Sequence, residues 1–151
     1  MKLKTLVGSG DKIGLFTLPS LLLGVLLNLK KPSVFRVGGP PLFLKVLSLV
    51  LLIPGVALWM WSVTLIVTHV PERKLITGGP YAIVKHPLYT SVSFLVLPWV
   101  GVLLNTWLGG VLGVILYTGS RLFAPEEEAL LAQTFGAAWE DYRKTVRLPW
   151  L

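Results

Sequence analysis

The chain has no cysteine, which excludes a disulfide framework, a thiolate metal site and a cysteine nucleophile. The absence says little about the compartment, because a membrane protein need not use disulfides. Charge is also scarce: 14% of the 151 residues are charged, whereas an ordinary soluble domain carries about 25%. Hydrophobic residues make up 54% of the chain, and the mean hydropathy is +0.73. A chain with so little polar surface is expected in a membrane, and its length allows a single domain, residues 1–151.

Four apolar runs are long enough to cross a bilayer, which requires about 17–25 mostly apolar residues. They cover residues 13–29, 42–67, 88–104 and 107–123. Each is expected to be helical, because a lone strand in lipid would leave its backbone groups without partners. Only Asn105 and Thr106 separate the last two runs, which predicts an antiparallel hairpin, and the spacing of Gly109 and Gly113 is typical of close helix packing. We therefore expect an all-α, multi-pass membrane protein.

The positive charges predict how the chain is oriented. A cleaved signal peptide is the alternative for the first run, but Lys12 and the lack of a small-residue cleavage site after Leu29 favour a retained helix. With four spans, both termini and the loop 68–87 share one side. Ten of the fourteen Lys and Arg residues fall on that side: Lys2, Lys4, Lys12, Arg73, Lys74, Lys85, Arg121, Arg143, Lys144 and Arg147. This bias predicts that the termini are cytoplasmic.

The net charge of +7 is explained by anionic lipid headgroups, which attract each well-placed Lys or Arg by about 1 kcal/mol. Nucleic-acid binding would need a basic patch on a soluble face, and the sequence offers none. The expected partners are therefore membrane lipids and a small molecule rather than nucleic acid.

The first polar cluster lies just before the third run. Tyr81, Lys85, His86 and Tyr89 offer several donors and acceptors within nine residues, and Pro87 is suited to begin the following helix. A histidine beside a span is often only an interfacial residue, and tyrosines often form part of the interfacial belt. The density of this cluster favours a functional site, because polar groups at membrane depth are costly and usually functional.

The second polar cluster, Glu126 to Glu128, follows the fourth run. Pro125 predicts a helix start, and carboxylates in a first helical turn are stabilised by the helix dipole. That role alone would explain the three glutamates. Apolar residues then recur at helical spacing up to Tyr142, and basic residues follow, which predicts an amphipathic helical segment at the membrane surface, interrupted near Gly136.

Both clusters resemble motifs of one enzyme superfamily. Residues 79–89, GPYAIVKHPLY, resemble the "GPY…(R/K)HPxY" segment of the isoprenylcysteine carboxyl methyltransferase and phospholipid methyltransferase superfamily. Residues 127–131 are similar to its "EExxL" element, and residues 135–142 are similar to its "FGxxYxxY" continuation. The resemblance covers roughly residues 70–151 and implies a cofactor-binding half there. It implies a small integral membrane enzyme that uses S-adenosylmethionine without a Rossmann domain.

The resemblance also implies roles for individual residues. The cofactor pocket would be lined by Gly79, Pro80, Tyr81, Lys85, His86, Pro87 and Tyr89, and closed by Glu127 and Glu128. Glu127 would also act in catalysis, together with Arg121, the nearest counterpart of an arginine that some members place just before the glutamates on the substrate side. Lys85 stands where arginine is commoner; lysine keeps the positive charge but lacks the bidentate geometry of arginine. Trp139 stands where tyrosine is more usual.

Methyl transfer from a sulfonium is an in-line displacement, so the protein mainly has to position donor and acceptor. No metal is needed, and the sequence offers no ligand cluster for one. A lipid-like acceptor would enter from the bilayer and present a carboxylate, amine or thiol. Two other functions remain open from the sequence: a membrane reductase of the sterol-reductase type, which shares an "HPxY" segment and would bind NAD(P)H, and a non-catalytic membrane scaffold.

Overall fold

The computed structural model describes residues 10–148, and the elements within that range are helical. The predictions that involve Lys2 and Lys4 lie outside the described residues. The helices are α1 (Gly10–Lys30), the short α2 (Pro32–Phe35), α3 (Leu42–His69), α4 (Pro87–Leu103), α5 (Leu108–Phe135) and α6 (Ala137–Thr145). One turn of 3₁₀ helix, Gly79–Ala82, precedes α4 and is called the GPY turn below.

Three helices, α1, α3 and α5, are long and apolar enough to cross a membrane, and α4 is a shorter apolar helix. The four predicted runs correspond to these four helices in order. The predicted all-α membrane architecture is therefore confirmed. The predicted break near Gly136 is also present, since this glycine separates α5 from α6 with a φ of +51°.

Helix α4 changes its winding along its length. It begins with Pro87 in the first helical turn, passes through a π-helical segment at Val92–Val96 and ends as α-helix at Leu97–Leu103. Pro98 follows the π segment and has no N–H to donate to the Phe94 carbonyl. The indole Nε1–H of Trp99 donates to that carbonyl instead, at 3.1 Å. The wider turn therefore accommodates a proline without leaving the Phe94 oxygen unsatisfied.

Helices α4 and α5 pack closely through small residues. A Cβ added at Gly109 would clash with the Leu97 carbonyl oxygen, and one added at Gly113 would clash with the Ser93 carbonyl oxygen. The close packing predicted from the Gly109 and Gly113 spacing is confirmed. The linking turn is tight because Asn105 adopts a left-handed conformation with a φ of +57°, which asparagine tolerates better than most residues.

The prediction that a helix begins at Pro125 is wrong. Helix α5 continues through Pro125 to Phe135, so the three glutamates lie inside a long helix rather than in a first turn. Proline in a helix interior removes one backbone hydrogen bond. Buried residues such as Ser120 and Ala124 pack the helix before Pro125, and Leu131 and Phe135 pack against the buried Trp139 cluster after it. The helix dipole therefore no longer explains the glutamates.

The C-terminal segment brings the two motifs together. Trp139, Tyr142 and Val146 form a buried cluster against Leu75, Tyr81, Leu131 and Phe135. The Tyr142 hydroxyl donates to the Tyr81 carbonyl at 2.9 Å, and the Leu148 N–H donates to the Ile83 carbonyl at 2.8 Å. Helix α6 thus attaches the end of α5 to the GPY turn.

Candidate active site

A cavity of about 390 Å³ lies where the two motifs meet. This volume falls within the usual range for small-molecule sites, about 300–1,000 Å³. Its wall is formed by the end of α3, the following loop, the GPY turn, the first turn of α4, the last turns of α5 and helix α6. The lining residues are Ile66, Val70, Arg73, Lys74, Leu75, Ile76, Tyr81, Lys85, His86, Leu88, Tyr89, Glu127, Leu130, Leu131, Thr134, Phe135, Trp139 and Tyr142.

Five of the predicted site residues line this cavity: Tyr81, Lys85, His86, Tyr89 and Glu127. Pro87 begins α4, so His86 sits at the helix cap and Tyr89 in the first turn. On α5, Glu127 shares one face with Leu130, Leu131 and Thr134, as their helical spacing requires. The structure thus brings an imidazole and a carboxylate from the two motifs into one cavity.

The other five predicted residues, Gly79, Pro80, Pro87, Arg121 and Glu128, lie outside the lining. Gly79 has a φ of +61°, and a Cβ added there would lie 2.9 Å from the Trp61 ring. This position therefore shapes the turn. Pro80 is buried within the turn, and Pro87 is buried at the start of α4. Arg121 is exposed to solvent, nearly two helical turns before Glu127. The cofactor and catalytic roles of these residues stay predictions.

Glu128 lies outside the cavity lining and contacts two residues that belong to it. Its Oε1 accepts a hydrogen bond from Lys85 Nζ at 2.7 Å and lies 3.3 Å from His86 Nε2. The side chains of Lys85 and His86 are only 11% and 10% exposed, and that of Glu128 is 21% exposed. Charge pairs shielded in this way are screened less by salt than those on an open surface. Glu128 therefore holds an ammonium group and an imidazole at fixed positions.

Two phenols at the site are kept protonated by burial. Burial raises the pKa of Tyr81 well above its usual value, and the negative charge of Glu127 raises it further. Burial likewise raises the pKa of Tyr142, with a smaller contribution from the charge of Glu128. Both hydroxyls can therefore donate hydrogen bonds. Tyr142 uses its hydroxyl to hold the GPY turn, as described above, while Tyr81 contributes to the cavity wall.

The sequence did not identify the loop between α3 and the GPY turn as part of the site. Arg73, Lys74, Leu75 and Ile76 from this loop line the cavity, as do Ile66 and Val70 at the end of α3. The available signal was the Arg73-Lys74 pair just before the first motif, which the sequence interpretation used only for membrane orientation. Placement of this loop depends on where α3 ends, and the hydrophobic run does not determine that point.

The cavity combines a polar end with an extensive apolar wall. Glu127 could bind an ammonium group, while Lys85 and His86 could bind a carboxylate or hydroxyl groups. The aliphatic side chains of α3, the loop and α5 could contact an apolar ligand. Within residues 10–148 no group of three His, Asp or Glu residues is placed to hold a metal ion.

Comparison with family models matches residues 37–133, more than half of the chain, to the isoprenylcysteine carboxyl methyltransferase family. The matched segment contains all of α3 and α4 and nearly all of α5, and so includes both polar motifs. Comparisons with curated proteins and with solved structures give no significant match.

Proposed function

Because the chain belongs to the isoprenylcysteine carboxyl methyltransferase family, we propose that its cavity binds S-adenosylmethionine for methyl transfer to a lipid-like acceptor. The family implies membrane methyltransferase activity. One observation carries the finer proposal: His86 and Glu127, from motifs far apart in sequence, line the same cavity. When bound, the cofactor supplies an activated methyl group on a sulfonium.

The lining is chemically suited to this cofactor. Its amino-acid end carries one ammonium and one carboxylate, and the cavity lining includes the Glu127 carboxylate, the Lys85 ammonium and the His86 imidazole. The neutral Tyr81 phenol adds a further donor. These residues would bind and orient the donor molecule, which is the main requirement of an in-line displacement.

The two motif glutamates would have different roles. Glu127 belongs to the cavity wall and is the group that would contact the ligand. Glu128 lies behind the wall and binds Lys85 and His86, so we assign it a positioning role. Its effect on binding would therefore depend on the presence of those two side chains.

The acceptor proposed here is apolar over most of its length. Ile66 on α3, Val70 just after it, and Leu130 and Leu131 on α5 give the cavity an aliphatic wall. A carboxylate or thiolate acceptor needs no general base, whereas an amine must lose a proton. The excess of basic residues at this end of the molecule supports a site at the cytoplasmic face.

The proposal is tested by titrating the detergent-solubilised protein with S-adenosylhomocysteine and, separately, with NADPH in a calorimeter. We expect S-adenosylhomocysteine to bind and NADPH not to bind. Binding of NADPH alone would instead support a membrane reductase, and binding of neither would support a non-catalytic scaffold. Either result would overturn the proposed methyltransferase chemistry.

A further inference from the structure

Arg73 occupies an unusual position at the rim of the cavity. Arg73 lines the cavity and is also exposed to solvent. Its backbone has a φ of +54°, a left-handed conformation that is uncommon for residues other than glycine. Two hydrogen bonds hold this turn: Arg73 N–H donates to Val70 O, and Lys74 N–H donates to His69 O, each at 3.1 Å. Residues held in sparsely populated backbone conformations cluster at functional sites.

The charges around the cavity leave Arg73 without an acidic partner. Three side-chain cations line the cavity: Arg73, Lys74 and Lys85. Lys85 pairs with Glu128, and Lys74 pairs with Glu72, each at 2.7 Å. Across residues 10–148 the Arg73 guanidinium forms neither an ion pair nor a side-chain hydrogen bond. Its charge is therefore available to a ligand.

The cofactor does not account for this charge. S-adenosylmethionine has a sulfonium and an ammonium against one carboxylate, so it is itself a cation. Its carboxylate is provided for by Lys85 and His86 in the proposed function. An additional guanidinium at the rim is better suited to an anionic group on the second substrate.

The position expected for a substrate-side arginine is not at the cavity. The family resemblance assigns that role to a residue just before the glutamates, where Arg121 is the nearest candidate. Arg121 is exposed and lies outside the cavity lining. Arg73, in contrast, belongs to the cavity lining. Ile66 near the end of α3 and Val70 just after it precede Arg73 in the chain and line the same cavity with apolar side chains.

We propose that Arg73 is a specificity-determining residue that binds the oxyanion of a lipid-like acceptor. The acceptor's apolar chain would lie against Ile66 and Val70. A planar guanidinium suits this role, since it binds carboxylate or phosphate oxygens through two parallel hydrogen bonds. The inference rests on the proposed function, because it takes the cavity to be the methyl-transfer site.

The test measures three probes against the full-length protein in a neutral detergent. The probes are an S-isoprenyl N-acetylcysteine, its carboxamide and an isoprenyl monophosphate. We expect the carboxylate to bind about tenfold more tightly than the carboxamide, as for a hydrogen bond to a charged partner. Arg73→Ala should abolish that preference and Arg73→Lys should retain part of it, while the affinity for S-adenosylhomocysteine stays unchanged. Tighter binding of the phosphate, with the same dependence on Arg73, would support the proposal and identify phosphate as the oxyanion.

Arg143→Ala is the matched control, because it removes an exposed arginine of α6 from outside the cavity lining and should leave all affinities unchanged. The inference is overturned if the Arg73→Ala variant keeps the carboxylate preference. It is also overturned if the substitution weakens the binding of S-adenosylhomocysteine as much as the binding of the acceptor probe. If wild-type protein does not bind S-adenosylhomocysteine, the proposed function fails first. If the protein still prefers the carboxylate probe in a way that depends on Arg73, the cavity would be a lipid-binding site rather than an enzyme active site.

Discussion

Three successive glutamates on α5 have three different surroundings, because neighbouring residues of a helix point about 100° apart. Glu126 forms an exposed ion pair with Lys12 of α1. Glu127 lines the cavity, and Glu128 holds Lys85 and His86 behind its wall. An exposed pair such as that of Glu126 contributes little stability. Only Glu127 is placed to contact a ligand directly.

Neutralising Glu127 should therefore affect ligand binding more than neutralising either neighbour. We expect Glu127→Gln to weaken binding of S-adenosylhomocysteine at least tenfold, because the ligand's ammonium loses a charged hydrogen-bond partner. Glu126→Gln, the matched control, should leave the affinity unchanged. Calorimetric titration measures both, and equal affinities for the two variants would contradict the assignment of Glu127.

Glu128 should act through its partners, and a double-mutant cycle detects this. We expect Glu128→Gln and Lys85→Ala to be non-additive in the free energy of ligand binding, by about 0.5–3 kcal/mol. His86→Ala should also weaken binding. Strict additivity of the Glu128 and Lys85 substitutions would show that Glu128 does not position Lys85.

Two adjacent glycines, Gly78 and Gly79, lie at the start of the GPY turn, and the turn requires glycine only at Gly79. Gly79 has a positive φ and faces the Trp61 ring, whereas a Cβ at Gly78 would meet no atom within 4 Å. We expect Gly79→Ala to lower the free energy of unfolding by about 1–3 kcal/mol, and Gly78→Ala to have little effect. Thermal unfolding in detergent compares the two; equal midpoints would mean that the turn has a different conformation.

At the scale of helices, the α4–α5 contact is set by the glycines that face the partner helix. Gly109 faces the α4 backbone, while Gly110 next to it faces open space. We expect Gly109→Ala to destabilise the protein by about 1–3 kcal/mol, as overpacking does, and Gly110→Ala to be neutral or slightly stabilising. Thermal unfolding distinguishes them. An unfolding midpoint of Gly109→Ala equal to that of the wild type would contradict the close approach of α4 and α5.

The helices could be predicted because each apolar run is long enough to cross a bilayer and is separated from the next by polar or turn residues. The start at Pro125 was wrong because proline favours a helix start in isolation, and only tertiary packing shows that α5 continues. Helical phase within α5 also separates Glu127 from Glu128, and a motif match does not reveal it. Arg73 was missed because its role depends on the path of a loop that carries no motif.

At the scale of the whole molecule, the cavity and the α4–α5 turn lie at opposite ends of α5. This helix has 28 residues and is about 42 Å long at about 1.5 Å per residue. The absence of native cysteine makes single-cysteine labelling direct. Leu104 at the turn is 70% exposed, and Arg143 on α6 is exposed at the cavity end.

We expect Leu104→Cys to react with a membrane-impermeant maleimide in intact cells, and Arg143→Cys to react only after the membrane is opened. This result follows from the excess of basic residues at the cavity end, which the positive-inside rule places in the cytoplasm. The reverse pattern of labelling would place the cavity on the outer face. Labelling of both residues in intact cells would contradict a membrane-spanning α5.

The most direct test of the account is an experimental structure of the protein with S-adenosylhomocysteine. We predict density for the nucleoside and its amino-acid end within the cavity, with Glu127 and His86 both in contact with the ligand. Density at another site, or a ligand that touches one of these side chains while the other points away, would contradict the central claim that the two motifs form a single cofactor site.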